Sequence, residues 1–386
     1  MTHDVVVVGA GPAGLAFAAA LAGTDLRVAV VERQPLDALA RPLPDGREIA
    51  LTQRSVRELR ELGAWHRIDA QGIAPLREAR VLNGKSAFAL SFGAGHAERL
   101  GHLVSNHLIR QALFEVVDGL AGVDILGGRA VHSIERGPHR AVVRLDDGEA
   151  LQARLVVGAD SRFSFVRQQL GIGAEVNRLG RAMLVCRVAH DRDHDGIATE
   201  WFDHGQTIAM LPLNDRQSSA VLTLSLAEID RLAALDHEAL GAELTRRYQG
   251  RLGRMNVIGQ PHVYPLATTY ARHFAASRAA LIGDAAVGMH PVTAHGFNLG
   301  LTSACTLAGL IREAAARDRD IGASSLLRRY EAAHRLASRP IYTATNAIVG
   351  LYTAEHPAAH LARHAALRTA SLPFISKSVS RLLMQP

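Results

Sequence analysis

Val5-Val6-Val7-Val8-Gly9-Ala10-Gly11-Pro12-Ala13-Gly14 opens the chain as a buried strand, a tight turn and the start of a helix. The glycines have separate tasks: Gly9 makes the turn, Gly11 leaves room for a pyrophosphate, and Gly14 lets helix and strand approach closely. Residues 27–32 read as the next parallel strand, and it ends in Glu32, eighteen residues after Gly14. A carboxylate there reaches both hydroxyls of an adenosine ribose and repels a phosphate on it, which disfavours NADP in this pocket. Arg33 follows directly and is grouped with the same cofactor site. With strand, turn, helix and acidic residue in register, the pattern is a dinucleotide fingerprint and more than a stray glycine turn.

Three further stretches carry chemistry. The apolar segment Ala279-Ala280-Leu281-Ile282 runs into Gly283-Asp284, a loop through His290, Pro291 and His295, and a helix opening with Gly296-Phe297-Asn298. A loop poor in bulky side chains that ends at a helix N-terminus lets backbone N–H groups approach a flat polar ligand. Asp284 ends a buried strand, where a ligand hydroxyl would compensate a costly carboxylate. Val156 to Arg167 is another strand–turn–helix, with Asp160 at the strand end and a basic helix that packing alone does not explain. Asp45-Gly46-Arg47 sets an arginine before a helix, where it can pair with pyrophosphate or stand as an ordinary surface residue.

Bulk properties narrow the class. At 386 residues and 48% hydrophobic, the chain buries a substantial core and reads as two joined domains. Cys186 and Cys305 lack metal-type spacing and read as reduced thiols. A strand by Val5 leaves no room for a signal peptide, and no apolar run is long enough to span a bilayer. The net charge of +6 is almost all arginine, since Lys85 and Lys377 are the lysines. No basic run is interleaved with aromatics, so nucleic acid is not an expected partner. His356, His360 and His364 share a helical face without a completing carboxylate or cysteine, and Asp191, Asp193 and Asp195 lack a calcium-loop pattern, so no metal is expected.

The organisation is α/β. Segments 1–75, 100–178 and 265–340 are expected to form a discontinuous Rossmann-like domain, and 76–99 with 179–264 an inserted antiparallel β-sheet domain. Residues 341–386 read as a helical C-terminal tail whose end, 370–386, has apolar residues at helical spacing near Lys377 and Arg381.

Together these motifs resemble the group A FAD-dependent aromatic monooxygenases, of para-hydroxybenzoate hydroxylase type, over residues 4 to about 340. Asp45 to Leu51, Val104-Ser105-Asn106 and His290 to Asn298 are most similar to the ubiquinone-biosynthesis hydroxylases, and Ala294-His295-Gly296 to their UbiM branch. The resemblance implies FAD as cofactor and NAD(P)H as transient reductant. A C4a-hydroperoxyflavin formed with O2 would hydroxylate an electron-rich ring, here a lipid-like polyprenyl phenol or benzoquinol. It also implies roles: Glu32 on the adenosine ribose, Arg47 and Asn106 along the pyrophosphate and ribityl region, and Asp284 on ribityl hydroxyls. Pro291 would face the reactive flavin edge, with Gly296, Phe297 and Asn298 on the isoalloxazine. Asp160, with Arg167, would serve FAD and NAD(P)H, although Ser161 stands where the family usually has glycine. Because the cofactor carries the hard step, no nucleophile, metal or acid–base dyad is required.

His295 is the candidate for direct chemistry, donating to flavin or phenolate or moving a proton. Trp201, Met210 and Pro212 are candidates for the substrate wall, against the plainer reading as sheet core. The tail is a candidate contact with a membrane surface or with partner enzymes of the same pathway. Two other readings stay open: a soluble aromatic-compound hydroxylase, and a flavin-bearing subunit without turnover.

Overall fold

The computed structural model describes residues 2–353 apart from 85, 87, 88, 94–98 and 204. His356, His360, His364 and the tail 370–386 lie outside the described residues.

The strand Thr2–Val8 lies parallel to Ala150–Gly158 on one side and Val28–Glu32 on the other. Helices cover the sheet, so inner strands bury both faces and an unbroken valine run is stable there; Val5, Val6 and Val7 are fully buried. The order extends through Val123–Gly127 at one edge and through Ala279–Leu281 and Ala275–Ala276 at the other. The strands Val131–Arg136 and Ala141–Leu145 join as antiparallel additions, and a turn at Asp147-Gly148 leads from the second into Ala150–Gly158. Helices Pro12–Ala20, Asn106–Asp118 and Gly296–Ala315 share this core. The glycine turn and the loop at Gly283 therefore belong to one folding unit, although they are far apart in sequence.

A second sheet contains Val287–Gly288, Met255–Ala271, Ala174–His190, Gln217–Ser225, Gln206–Pro212, Ile197–Asp203, Glu78–Asn83 and Ala89–Gly93, in that order. It is antiparallel, as expected, except where Ile197–Asp203 pairs in parallel with Glu78–Asn83. Helices Leu226–Ala233 and His237–Arg247 close one face, where Ile229, Leu232 and Leu240 pack on Leu184, Cys186 and Leu222. The other face is turned toward the nucleotide-binding unit: a Cβ on Gly46 would meet His262 at 2.8 Å and Val185 at 3.5 Å.

A third, small sheet of Glu48–Thr52, Gly101–Ser105 and Ile73–Leu76 stands at the junction and has no counterpart in the sequence reading. Ala174–His190 and Met255–Ala271 pair from Ala174↔Ala271 to His190↔Met255, with shifts of register between Arg178 and Ala182 and between Val185 and Arg187. The expected divisions at 178/179 and 264/265 fall inside these strands, and 340/341 falls inside the helix Ser324–Thr353, which carries Pro340. Among the described residues no helix is long and apolar enough to cross a membrane.

Candidate active site

At the nucleotide end, two glycines are demanded by packing and one by open space. Gly9 has φ +108, and a Cβ there would stand 2.5 Å from the Ala159 carbonyl oxygen; one on Gly14 would stand 2.0 Å from that of Gly9. A Cβ on Gly11 would meet nothing within 4 Å. Glu32 accepts the Ala10 N–H at 2.8 Å with one oxygen and the Gln34 N–H at 3.0 Å with the other, which fixes the carboxylate at the strand end. Arg33 is exposed beside it.

Arg47 and Asn106 are brought together by Asp45. The Arg47 guanidinium donates to Asp45 Oδ2 at 2.6 Å and the Asn106 amide to the same oxygen at 2.7 Å. The Tyr264 hydroxyl donates to the Asp45 carbonyl at 2.6 Å, and Arg47 lies over the Tyr264 ring. Burial pushes the Asp45 carboxyl up, but the Arg47 charge and these hydrogen bonds outweigh it and hold it below its ordinary value. Arg47 keeps 43% of its side chain exposed, so it is paired yet accessible to an anion.

The aspartates at the two other strand ends are less free than their positions suggest. Asp160 accepts the Ser164 hydroxyl at 2.6 Å and the Val166 N–H at 3.1 Å, an arrangement that caps the short helix Phe165–Gln169. Arg167, only 4% exposed, donates to the Arg162 carbonyl at 3.0 Å and the Ala285 carbonyl at 2.9 Å. Packing does explain this basic residue: it ties the Asp160 turn to the Gly283–Ala285 turn. Asp284 is 40% exposed at the side chain and pairs with Arg162 at 3.3 Å, so it is not the buried lone carboxylate the strand pattern implied.

In the loop that follows, Pro291 and Ala294 are exposed and Ala294 adopts φ +54. His295 is buried, and its carbonyl accepts the Leu299 N–H at 2.9 Å as the long helix begins. The Asn298 side chain accepts the Thr52 N–H at 3.1 Å and donates to the carbonyls of Ala50 at 2.9 Å and Ala294 at 2.8 Å. This buried amide locks the loop to the small sheet at the point where the long helix begins and its first backbone N–H groups have no intrahelical partner. A Cβ on Gly296 would meet nothing within 4 Å, and Phe297 is half-buried beside it. His290 is buried and accepts the Val292 N–H at 3.2 Å; burial, with Arg162 nearby, pushes its imidazole down to about 4. Open space at Gly11 and Gly296, with a fixed carboxylate at one end and helix-terminal donors at the other, fits FAD stretched between them.

The substrate-wall expectation is corrected by strand alternation. Trp201 and Met210 lie in the core under Leu226–Ala233 and His237–Arg247, and the Trp201 indole donates to the Gly84 carbonyl at 3.0 Å. Pro212, two residues beyond Met210, shares its parity. The opposite face carries Val185, Arg187, Ala209 and Glu200. Arg187 donates to Glu48 at 2.8 Å and to the Ser105 hydroxyl at 2.6 Å, joining the large sheet to the small one. Burial keeps the Glu48 carboxyl above its ordinary value even against these bonds. Leu103, Ala74 and Leu76 of the small sheet and Val185 and Ala209 of the large one are buried but belong to neither hydrophobic core. They are the apolar layer on the faces the two cores leave over, and Ile73–Leu76 lies against Gln206–Pro212. Period-two alternation from Trp201 would have found this face, had the helix-covered side been known. Cys186 is buried and Cys305 half-buried; burial pushes both thiols up to about 12, so they stay protonated.

The family model described as FAD binding domain matches residues 2–345, and the chain belongs to that family. It is similar to the ubiquinone hydroxylase UbiM of Neisseria meningitidis, 46% identical over 98% of this chain and 84% of that protein. It is also similar to the ubiquinone hydroxylase UbiL of Rhodospirillum rubrum, 34% identical over 93% of this chain and 84% of that one. In fold it matches the p-nitrophenol 4-monooxygenase PnpA of Pseudomonas putida at a TM-score of 0.80, with 18% identity, covering 99% of this chain and 98% of that one. The protein is thus a flavin-dependent monooxygenase of the para-hydroxybenzoate hydroxylase fold type.

Proposed function

We propose that the protein hydroxylates the ring of a polyprenylated phenol or benzoquinol in ubiquinone biosynthesis, using FAD, NAD(P)H and O2. The observation that carries this reading is the 46% identity to the Neisseria enzyme along almost the whole chain. The buried apolar residues Leu103, Ala74, Val185 and Ala209 support it, because an isoprene-bearing ring gains by packing on apolar side chains.

FAD, when bound, supplies electron transfer from NAD(P)H and delivery of one oxygen atom from O2 to the ring. The chain positions and shields. Glu32 holds the adenosine ribose; Arg47 and Asn106, set by Asp45, hold the pyrophosphate and ribityl region; Asp284 takes ribityl hydroxyls. Gly11 and Gly296 admit the ligand closely, and the backbone of Gly296, Phe297 and Asn298 faces the ring system beside Pro291. His295 donates a hydrogen bond at that ring. The apolar layer excludes water. The units divide as 1–75, 100–178 and 265–340 against 76–99 and 179–264, with two long strands as their shared seam. The protein works in the cytoplasm at the inner-membrane surface, where the end of the tail, 370–386, meets lipid or partner enzymes.

Complementation of bacterial strains each lacking one ubiquinone ring hydroxylase, with quinone intermediates identified by mass, tests the function. Rescue of at least one strain is expected, and rescue of none sinks the reading in favour of a soluble aromatic hydroxylase. Purified protein that neither oxidises NAD(P)H nor consumes O2 with any quinol precursor points instead to a flavin-bearing subunit. Removal of residues 370–386 is expected to lower recovery in the membrane fraction; unchanged recovery removes the tail from the proposal.

A further inference from the structure

Glu200 is a carboxyl in an apolar place. It pairs with Ala209 on one neighbouring strand and Val81 on the other. In register, His262, Val185, Val221, Ala209, Glu200, Val81 and Leu90 make one row across the large sheet. The adjacent Trp201 points into the helix-covered core, so alternation turns Glu200 to the opposite face. Val185, in the same row, lies against Gly46 of the cofactor unit, three strand spacings or about 14 Å away. Glu200 therefore belongs to the face that borders the apolar layer.

Among the described residues no side chain or backbone group hydrogen-bonds or ion-pairs with its carboxylate. The neighbours on that face are Thr207, Ala209 and Leu211 on one side and Ala79, Val81 and Asn83 on the other. The charged or titratable groups on this face, Arg187 with its partner Glu48, His262 and Tyr264, stand on or against Ala174–His190 and Met255–Ala271, three or more strands from Glu200. Glu200 is sunk far enough that burial alone pushes its carboxyl to about 8, yet the residue is only half-buried. A desolvated, unpaired carboxyl that is still partly accessible is costly to keep unless a ligand uses it.

Resting on the proposed ring hydroxylation, we propose that Glu200 is a catalytic residue that binds the substrate's ring hydroxyl and accepts its proton. The phenol O–H bond breaks, a carboxyl O–H bond forms on Glu200, and the electron pair stays on the ring as a phenolate, the form more reactive toward an electrophilic oxygen. Oxidant and reductant are the O2 and NAD(P)H of the hydroxylation itself. A carboxyl with its pKa raised toward that of a phenol is matched to this transfer.

The test uses FAD-loaded wild type, Glu200→Gln and Glu200→Leu, with a phenol carrying a single isoprene unit as probe. Binding is read from the flavin absorbance between about pH 6 and about pH 9, and coupling from product formed per NAD(P)H oxidised. Both variants should fold with full flavin. In wild type, probe binding and product formation should rise through about pH 8. In the Gln variant that rise should vanish and product formation should fall about 100-fold. A Gln variant with wild-type coupling and pH profile, or variants that lose flavin or melt earlier, would overturn the assignment. If the wild type binds phenols but hydroxylates none, the proposed function fails while the binding arm still decides on Glu200: a pH-dependent affinity absent from the Gln variant upholds it, and equal profiles overturn it.

Discussion

Gly14 lies so close over Gly9 that a Cβ on it would stand 2.0 Å from the Gly9 carbonyl oxygen, whereas a Cβ on Gly11, between them, would meet nothing within 4 Å. Gly14→Ala is expected to cost about 3 kcal/mol or more, because backbone would have to move. Gly11 has φ −71, which alanine adopts freely, so Gly11→Ala should change stability by less than about 0.5 kcal/mol. It should nevertheless lower the flavin-to-protein ratio by occupying the pyrophosphate path. Denaturant melts of the apoproteins beside flavin absorbance separate the two effects; equal flavin content in Gly11→Ala and wild type would remove Gly11 from the site.

Arg167 holds two carbonyls from a buried position. Arg167→Met leaves the Arg162 and Ala285 oxygens without their donor and should destabilise the fold by about 2–4 kcal/mol. Since this side chain is committed to the backbone, the KM for NAD(P)H in the surviving folded fraction should stay within about twofold. A stable variant with a sharply raised KM would return Arg167 to the reductant.

Asn298 anchors the flavin loop through three hydrogen bonds to backbone. Asn298→Ala should cost about 2–4 kcal/mol and release flavin more readily, measured as a faster fluorescence rise on dilution. Asn298→Asp should fare no better, since it keeps only the acceptor for Thr52 and sets a negative charge against the carbonyls of Ala50 and Ala294.

Two opposed contributions should shape stability between about pH 4 and about pH 8. Glu200 titrates at about 8 in the fold against an ordinary 4.5, so the native state keeps a proton the unfolded chain has lost. Its contribution therefore declines as pH rises from 4.5 to about 8, by about 2–3 kcal/mol once partial exposure is allowed for. Burial pushes His290 and His334 down to about 4 from 6.5, so the unfolded chain protonates first and stability is lost as pH falls across that interval. Glu200→Gln should remove the decline between pH 4.5 and about 8. His334→Phe, in the aromatic setting of Phe274 at 5.0 Å and Tyr330 at 5.9 Å, should lessen the loss on acidification from pH 6.5 to about 4. Melting temperatures across pH check both, and unchanged profiles would refute the assignments.

Much of the cofactor unit was legible because its signals are local. A turn that needs Gly9, a carboxylate at the end of an apolar run and a helix opening at Gly296 are each written within a few residues. The same locality misled at Arg167 and Asp284, whose partners Ala285 and Arg162 come from distant segments. The small sheet escaped notice because Glu48–Thr52, Ile73–Leu76 and Gly101–Ser105 are too short to show a period.

By itself the sequence determined the order of the nucleotide-binding elements and the existence of an inserted sheet, since apolar runs, alternation and glycine turns act over single elements. Only the tertiary structure decided which face of that sheet meets the cofactor unit. Both faces are apolar enough to be buried, so alternation sorts Trp201 and Met210 from Glu200 and Ala209 without saying which pair the helices cover. That choice rests on contacts between Val185 and Gly46, and between Arg187 and Glu48, residues more than a hundred positions apart along the chain.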